Sequence, residues 1–127
     1  MQHIANEMLQ VVAEYDGWVK KSEIHPLNGS YYAKEIKEQS KVVSLTLFDF
    51  EYDISMDWLH PVAMKVIDVL CVNTLSAGMG SRIKYKKLVK AIESALICRP
   101  INGQYIDLFN AVHEAISFIN QNKQTDT

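Results

Sequence analysis

The 127 residues carry a formal net charge of -2 and a pI near 6.1, with 48% hydrophobic and 22% charged residues. That is enough chain for one hydrophobic core and too apolar for a disordered segment. The near-neutral balance excludes a whole-surface attraction to nucleic acid or to an anionic membrane, so binding of either kind has to come from a local patch. A single domain is expected over residues 1–121, with the polar residues 122–127, NKQTDT, as a loose tail. Cys71 and Cys98 stand in apolar surroundings with no CxxC or metal spacing, which predicts buried free thiols of a reducing compartment. The opening MQHIANEMLQ has no basic region ahead of an apolar core, and the longest apolar run is far short of the roughly 18 residues of a membrane span. A cytoplasmic protein with no membrane attachment is expected.

Residues 2–15 place Ile4, Met8, Val11, Val12 and Tyr15 at helical spacing, and Asp16-Gly17 supplies a left-handed stop. WVKKSEI and YYAKEI then flank HPLNGS, whose Pro26 and Asn28-Gly29 favour a reversal, so a hairpin is predicted. KVVSLTLFDF alternates at first, with Val43, Leu45 and Leu47 on one face. From Phe48 onward the pattern inverts: the even positions turn aromatic and the odd ones acidic, which requires a bulge, a twist or the end of the strand.

Leu59, Val62, Val66, Val69 and Leu70 recur at three and four residues and predict a second helix. Pro61 constrains its start, because proline loses no hydrogen bond only within the first turn. With Asp57 as N-cap, Pro61 is the fourth helical residue; with Ser55 it is the sixth and costs one bond, so Asp57, or a short tightening turn from Ser55, is favoured. CVNTLSAGMGS, residues 71–81, reads as a short strand or loop. A third helix is predicted over IKYKKLVKAIESALIC, ending before Pro100. The last helix, from about Gly103 to Gln121, carries Tyr105, Leu108, Phe109, Val112, Ile116 and Ile119 on one face, with Asn102 as N-cap and Ile101 and Ile106 as a hydrophobic staple. The expected elements are thus a hairpin, a further strand and helices on either side of them.

Two clusters carry chemistry. Asp49, Glu51, Asp53, Asp57 and His60 put oxygen and imidazole ligands close together, yet the spacing matches neither an EF-hand loop nor an HExxH pair, and helix capping and solvation explain them more economically. Neither a metal nor a cofactor is expected. Arg82, Lys84, Lys86, Lys87 and Lys90 gather at the start of the third helix, where positive charge opposes the helix dipole. Free backbone amides with long cations around them attract phosphate, so this is the candidate anion or nucleic-acid contact. No nucleophile elbow or activated cysteine is visible, and no enzyme activity is expected.

Three segments carry a resemblance. Ser55-Met56-Asp57-Trp58-Leu59-His60-Pro61-Val62, Ala13-Glu14-Tyr15-Asp16-Gly17-Trp18, and the run from Ala111 to Asn120 together resemble a group of small uncharacterised phage and prophage proteins of Bacteroidetes mobile elements. The core motif of that group reads roughly SWDWLMPVVEKI; here Met56 replaces its first tryptophan and His60 its methionine. The resemblance implies an α+β fold, a small antiparallel sheet of about three strands packed with three to four helices in a two-layer or α-β-α sandwich close to phage ABA-sandwich domains, and no activity. The expected function is a non-enzymatic module that binds another protein, with phosphate or nucleic-acid binding through residues 82–90 as the alternative.

Overall fold

The computed structural model describes residues 6–22, 30–36, 41–45 and 50–125. In chain order the elements are α1 (Asn6–Tyr15), β1 (Val19–Ser22), β2 (Ser30–Ile36), β3 (Lys41–Leu45), α2 (Met56–Ser76), α3 (Met79–Leu96) and α4 (Ile106–Thr125). The strands form one antiparallel sheet in the order β1-β2-β3, with Val19 opposite Ala33 and Tyr32 opposite Leu45. The architecture is α+β, as expected.

The end of α1 explains how the chain turns into the sheet. Gly17, at φ 104, donates its N–H to the Glu14 carbonyl, and the Trp18 N–H reaches back to Ala13. This pair of bonds is a Schellman motif, and it needs a residue tolerant of positive φ where glycine stands. Trp18 is thereby delivered to the core, where it is 7% exposed.

Helix α4 organises the helical layer, touching α1, α2 and α3, while α2 and α3 pack side by side as a hairpin. Leu59, Val62, Val66 and Leu70 of α2 and Phe109, Val112 and Ile116 of α4 are fully buried, as their spacing predicts. Trp18, Tyr32 and Tyr52 gather around Phe50 in an aromatic cluster, their ring centres 5.1 to 5.8 Å from its own. Trp58 of α2 meets it edge-on, 5.1 Å from Tyr52 and 6.3 Å from Phe50. Leu45 packs half-buried against this core, whereas Leu47 and the side chain of Val43, expected as its floor, lie outside what the structure describes.

Several expectations are corrected. Helix α2 runs on through CVNTLS to Ser76, leaving only Ala77 and Gly78 as connection. Small polar residues such as Asn73 and Ser76 do not end a helix whose carbonyls keep their partners, and Thr74 donates its hydroxyl to the Leu70 carbonyl. Both cysteines are exposed rather than buried, because Cys71 lies on the outer side of the extended α2 and Cys98 follows the end of α3. Of the two starts expected for α2, Asp57 as N-cap is corrected and the tightened turn from Ser55 is found: Ser55 is the N-cap, its carbonyl accepts from the Trp58 N–H at 3.2 Å, and Pro61 is sixth, which denies the Asp57 carbonyl its usual donor. Asn102 is no helix cap: at φ 53, beside Gly103 at φ 79, it makes a tight turn closed by paired bonds between Ile101 and Gln104. The staple fails with it, since Ile101 is exposed. The expected tail is helical as far as Thr125.

By length and composition α2 is also long and apolar enough to cross a membrane, at a mean hydropathy of 1.2, with 28% of the qualifying stretch buried inside the fold. The short-run criterion missed it because Lys65 and Asp68 break the run without lowering the average below that level.

Candidate functional site

Among the described residues the acidic cluster does not converge. Asp49 lies outside the described residues. Glu51 is exposed, and its carbonyl accepts from the Ile54 and Ser55 N–H groups in a turn, so the chain is not extended from Glu51 to Asp53 and these two acids do not share a strand face. Asp53 is tied elsewhere: its carboxylate accepts from Gln104 Nε2 at 3.0 Å and its carbonyl from the Tyr105 N–H at 2.7 Å. Asp57 and His60 are exposed on the first turns of α2, and among the described residues no group of three His, Cys, Asp or Glu side chains is placed to hold a metal ion.

The basic cluster divides. Lys84 turns toward α4, where its Nζ lies 3.4 Å from Glu114 Oε1 and 5.8 Å from the centre of the Phe118 ring. Tyr85 is buried and stacks edge-on against Phe118 at 5.2 Å, which removes it as a base-stacking platform. Arg82, Lys86, Lys87 and Lys90 remain exposed, and no ion pair among the described residues engages them. Gly78 caps α3 without a side-chain bond, so the first amides of the helix keep their anion-attracting character.

An exposed apolar surface flanks these cations. Between α2 and α3 runs a groove of about 390 Å³ lined by Cys71, Thr74, Lys86, Val89, Lys90 and Glu93. On α2 the row Met64, Asp68, Cys71, Leu75 follows the four-three-four spacing of one helix side, and each of the four is exposed. Leu75 is 82% and Met79 80% exposed at the turn of the hairpin, with Val72 and Ile83 more than half exposed beside them. Sequence periodicity missed this surface because it was read for one buried face per helix. The available signal was the absence of any Asp or Glu between Asp68 and Glu93, a stretch that holds all five of these cations.

A second cleft, of about 430 Å³, opens where α1, α2 and α4 meet, between Val11, Glu14, Tyr15, Lys65, Val69 and Ile119. Its cation is committed: Lys65 Nζ sits 5.2 Å from the centre of the Tyr15 ring and reaches the Tyr15 carbonyl at 3.4 Å. Burial raises the Tyr15 phenol above its ordinary pKa. This arrangement ties α1 to α2 and offers no nucleophile beside a base.

The most developed polar network is structural. Tyr52 donates its hydroxyl to Asp16 Oδ2 at 2.5 Å and accepts from Trp18 Nε1 at 3.0 Å. Lys34 completes it, 3.4 Å from the Asp16 carboxylate and 5.7 Å from the centre of the Trp18 ring. Burial first, then the bond to Asp16 and the charge of that carboxylate, push the Tyr52 phenol far above its usual range, with the Trp18 N–H opposing. In the sequence Asp16 reads only as part of a helix stop; a hydrogen bond across 36 positions leaves no local pattern. On α4, burial lowers the pKa of His113, and the neighbouring Glu114 charge partly offsets this.

The fold and these surfaces define a small α+β domain whose exposed chemistry is an apolar and cationic helix-hairpin face. Compared with known proteins, the chain matches no family model, no curated protein and no solved structure.

Proposed function

We propose that this protein is a non-enzymatic interaction module that binds another protein through the outer face of the α2–α3 hairpin. The observation that carries the reading is the exposure of Val72, Leu75, Met79 and Ile83 together on one hairpin, with Leu75 and Met79 each at least 80% exposed. Scattered single apolar residues are ordinary on a surface, whereas several gathered on one element, rimmed by charge, are characteristic of contact surfaces. A cytoplasmic setting, a sandwich-like layering of sheet on helices and a kinship with phage and prophage proteins through Ser55–Val62 belong to the same proposal. The motif itself contributes folding: Leu59 and Val62 are buried, and Trp58 packs on Tyr52.

The test is site-specific photocrosslinking in the cell of origin. A photoreactive residue at Leu75 should trap a protein adduct that the same residue at Asp107, exposed at the start of α4, does not. Equal adducts at both positions, or none at Leu75, would overturn the assignment of the face.

A second reading keeps Arg82, Lys86, Lys87 and Lys90 as a phosphate or nucleic-acid contact, favoured by the absence of ion-pair partners for them among the described residues and by the uncapped amides of α3. Affinity for single-stranded or duplex probes should then fall steeply with salt, and each lysine removed should flatten the logarithmic slope by about 1. No retardation of either probe at low salt would remove this reading.

A further inference from the structure

We infer that the occupant of the α2–α3 groove is a second copy of this chain, related by a two-fold axis that passes near Val89. The inference rests on the reading that this face makes contacts, and it names what is contacted. Lys86 and Glu93 both line the groove, seven residues and therefore about two turns apart on α3. Lys86 lies toward the hairpin turn and Glu93 toward the far end, so the charge of the groove changes sign along its length. Neither has an ion-pair partner among the described residues.

A face of mixed sign is poorly matched to a bilayer or to nucleic acid, because Asp68 and Glu93 would meet phosphate; a uniformly acidic or uniformly basic protein surface fares no better. A copy of itself is matched. With two α3 helices antiparallel about an axis between Val89 and Lys90, Lys86 stands opposite the partner's Glu93, and symmetry repeats the pair on the other side. The same operation brings the end that carries Met79 and Ile83 to the end that carries the partner's Ile97. These apolar side chains are 80%, 54% and, for Ile97, 87% exposed in the single chain. At the axis the groove is lined by Cys71, Thr74 and Val89, small enough for close approach, and by Lys90, whose exposed side chain lies one turn from Glu93 of its own helix and has to turn away from its symmetry copy; the Thr74 hydroxyl is already satisfied by the Leu70 carbonyl.

The size of the face sets the affinity to look for. The 18 residues of α3 span about 27 Å, and two helices side by side are about 20 Å wide, so each copy contributes roughly 500 Å² in projection. That lies below the roughly 800 Å² per partner of a standard interface, in the size class of weak, transient contacts.

Sedimentation equilibrium from about 1 µM to 1 mM should show the average mass rising from one chain toward two. Lys86→Glu and Glu93→Lys, each at an exposed position, should separately move the midpoint to at least about tenfold higher concentration, since each sets like charges face to face twice. Combining both changes in one chain exchanges the charges and should return the midpoint to within about threefold of the parent. Thermal melts of the dilute monomers should coincide and so separate association from folding. A parent that stays monomeric at 1 mM, reversals without effect, or a combined variant no better than its singles would overturn the inference. If the parent is monomeric while Leu75 still crosslinks to a different protein, the choice of occupant fails and the contact face stands; with neither result, both fail.

Discussion

Replacing Tyr52 by phenylalanine removes one oxygen from the network that ties α1, β1 and β2 to the loop before α2. The ring contacts to Trp58 and Phe50 survive, since phenylalanine keeps the ring that packs 5.1 and 5.8 Å from them. Two effects add. The Asp16 carboxylate loses a charge-assisted hydrogen bond, of the kind that contributes roughly 1.5 to 3 kcal/mol, although its contact with Lys34 and its partial exposure allow water to replace part of it. The Trp18 N–H, on a residue only 7% exposed, is left without its acceptor, a desolvation cost of about 1 to 3 kcal/mol. The expected loss is about 2 to 4 kcal/mol, read as a lower midpoint at unchanged slope in urea denaturation. The pH dependence sharpens the test. Because the folded phenol titrates far above its ordinary value near 10, the folded state retains a proton that the unfolded chain releases. The contribution of Tyr52 is therefore fully present below about pH 10 and is lost as pH rises beyond it, so the parent should lose stability more steeply above pH 10 than the Tyr52→Phe protein. A variant within about 0.5 kcal/mol of the parent, with the same alkaline slope, would show that the hydroxyl is not engaged as described.

Three further outcomes are expected. Trp58→Ala should destabilise by about 2 to 4 kcal/mol rather than by the full amount for a buried tryptophan, because Trp58 is only half-buried; an unchanged midpoint would mean that the edge-on contacts with Tyr52 and Phe50 contribute nothing. Pro61→Ala restores the amide missing from the interior of α2 and should stabilise by about 1 to 3 kcal/mol, measured by thermal denaturation, with any destabilisation counting against the helix register that begins at Met56. For His113, whose folded pKa lies below its ordinary 6.5, stability should be fully present above that value and decline as pH falls through it; His113→Gln should flatten this acid limb, and an identical limb in parent and variant would refute burial as the cause.

Local pattern by itself determined the helices and the core they share. Val62, Val66, Leu70, Val112 and Ile116 recur at intervals that leave an apolar helix one way to face, and all five are fully buried. Asp16-Gly17 was legible for the same kind of reason, since few residues other than glycine take φ 104 at the end of a helix. The boundaries were less legible. Asn102 carries the signature of a cap and of a turn alike, and only the pairing of Ile101 with Gln104 decided between them. Cys71 looked buried because its neighbours in sequence are apolar; once α2 continued to Ser76, the helical repeat turned it outward. The fate of the two clusters was a tertiary matter throughout. Asp53 went to Gln104 and Lys84 to Glu114, partners 51 and 30 positions away that no window along the chain contains, while Lys86 and Lys90 were left beside Cys71 and Thr74 in the groove. Periodicity fixes which side of a helix is apolar, because burial is a property of each turn; which charges remain unpaired on the outside depends on which helix lies next to which, and that is settled only when the chain is folded.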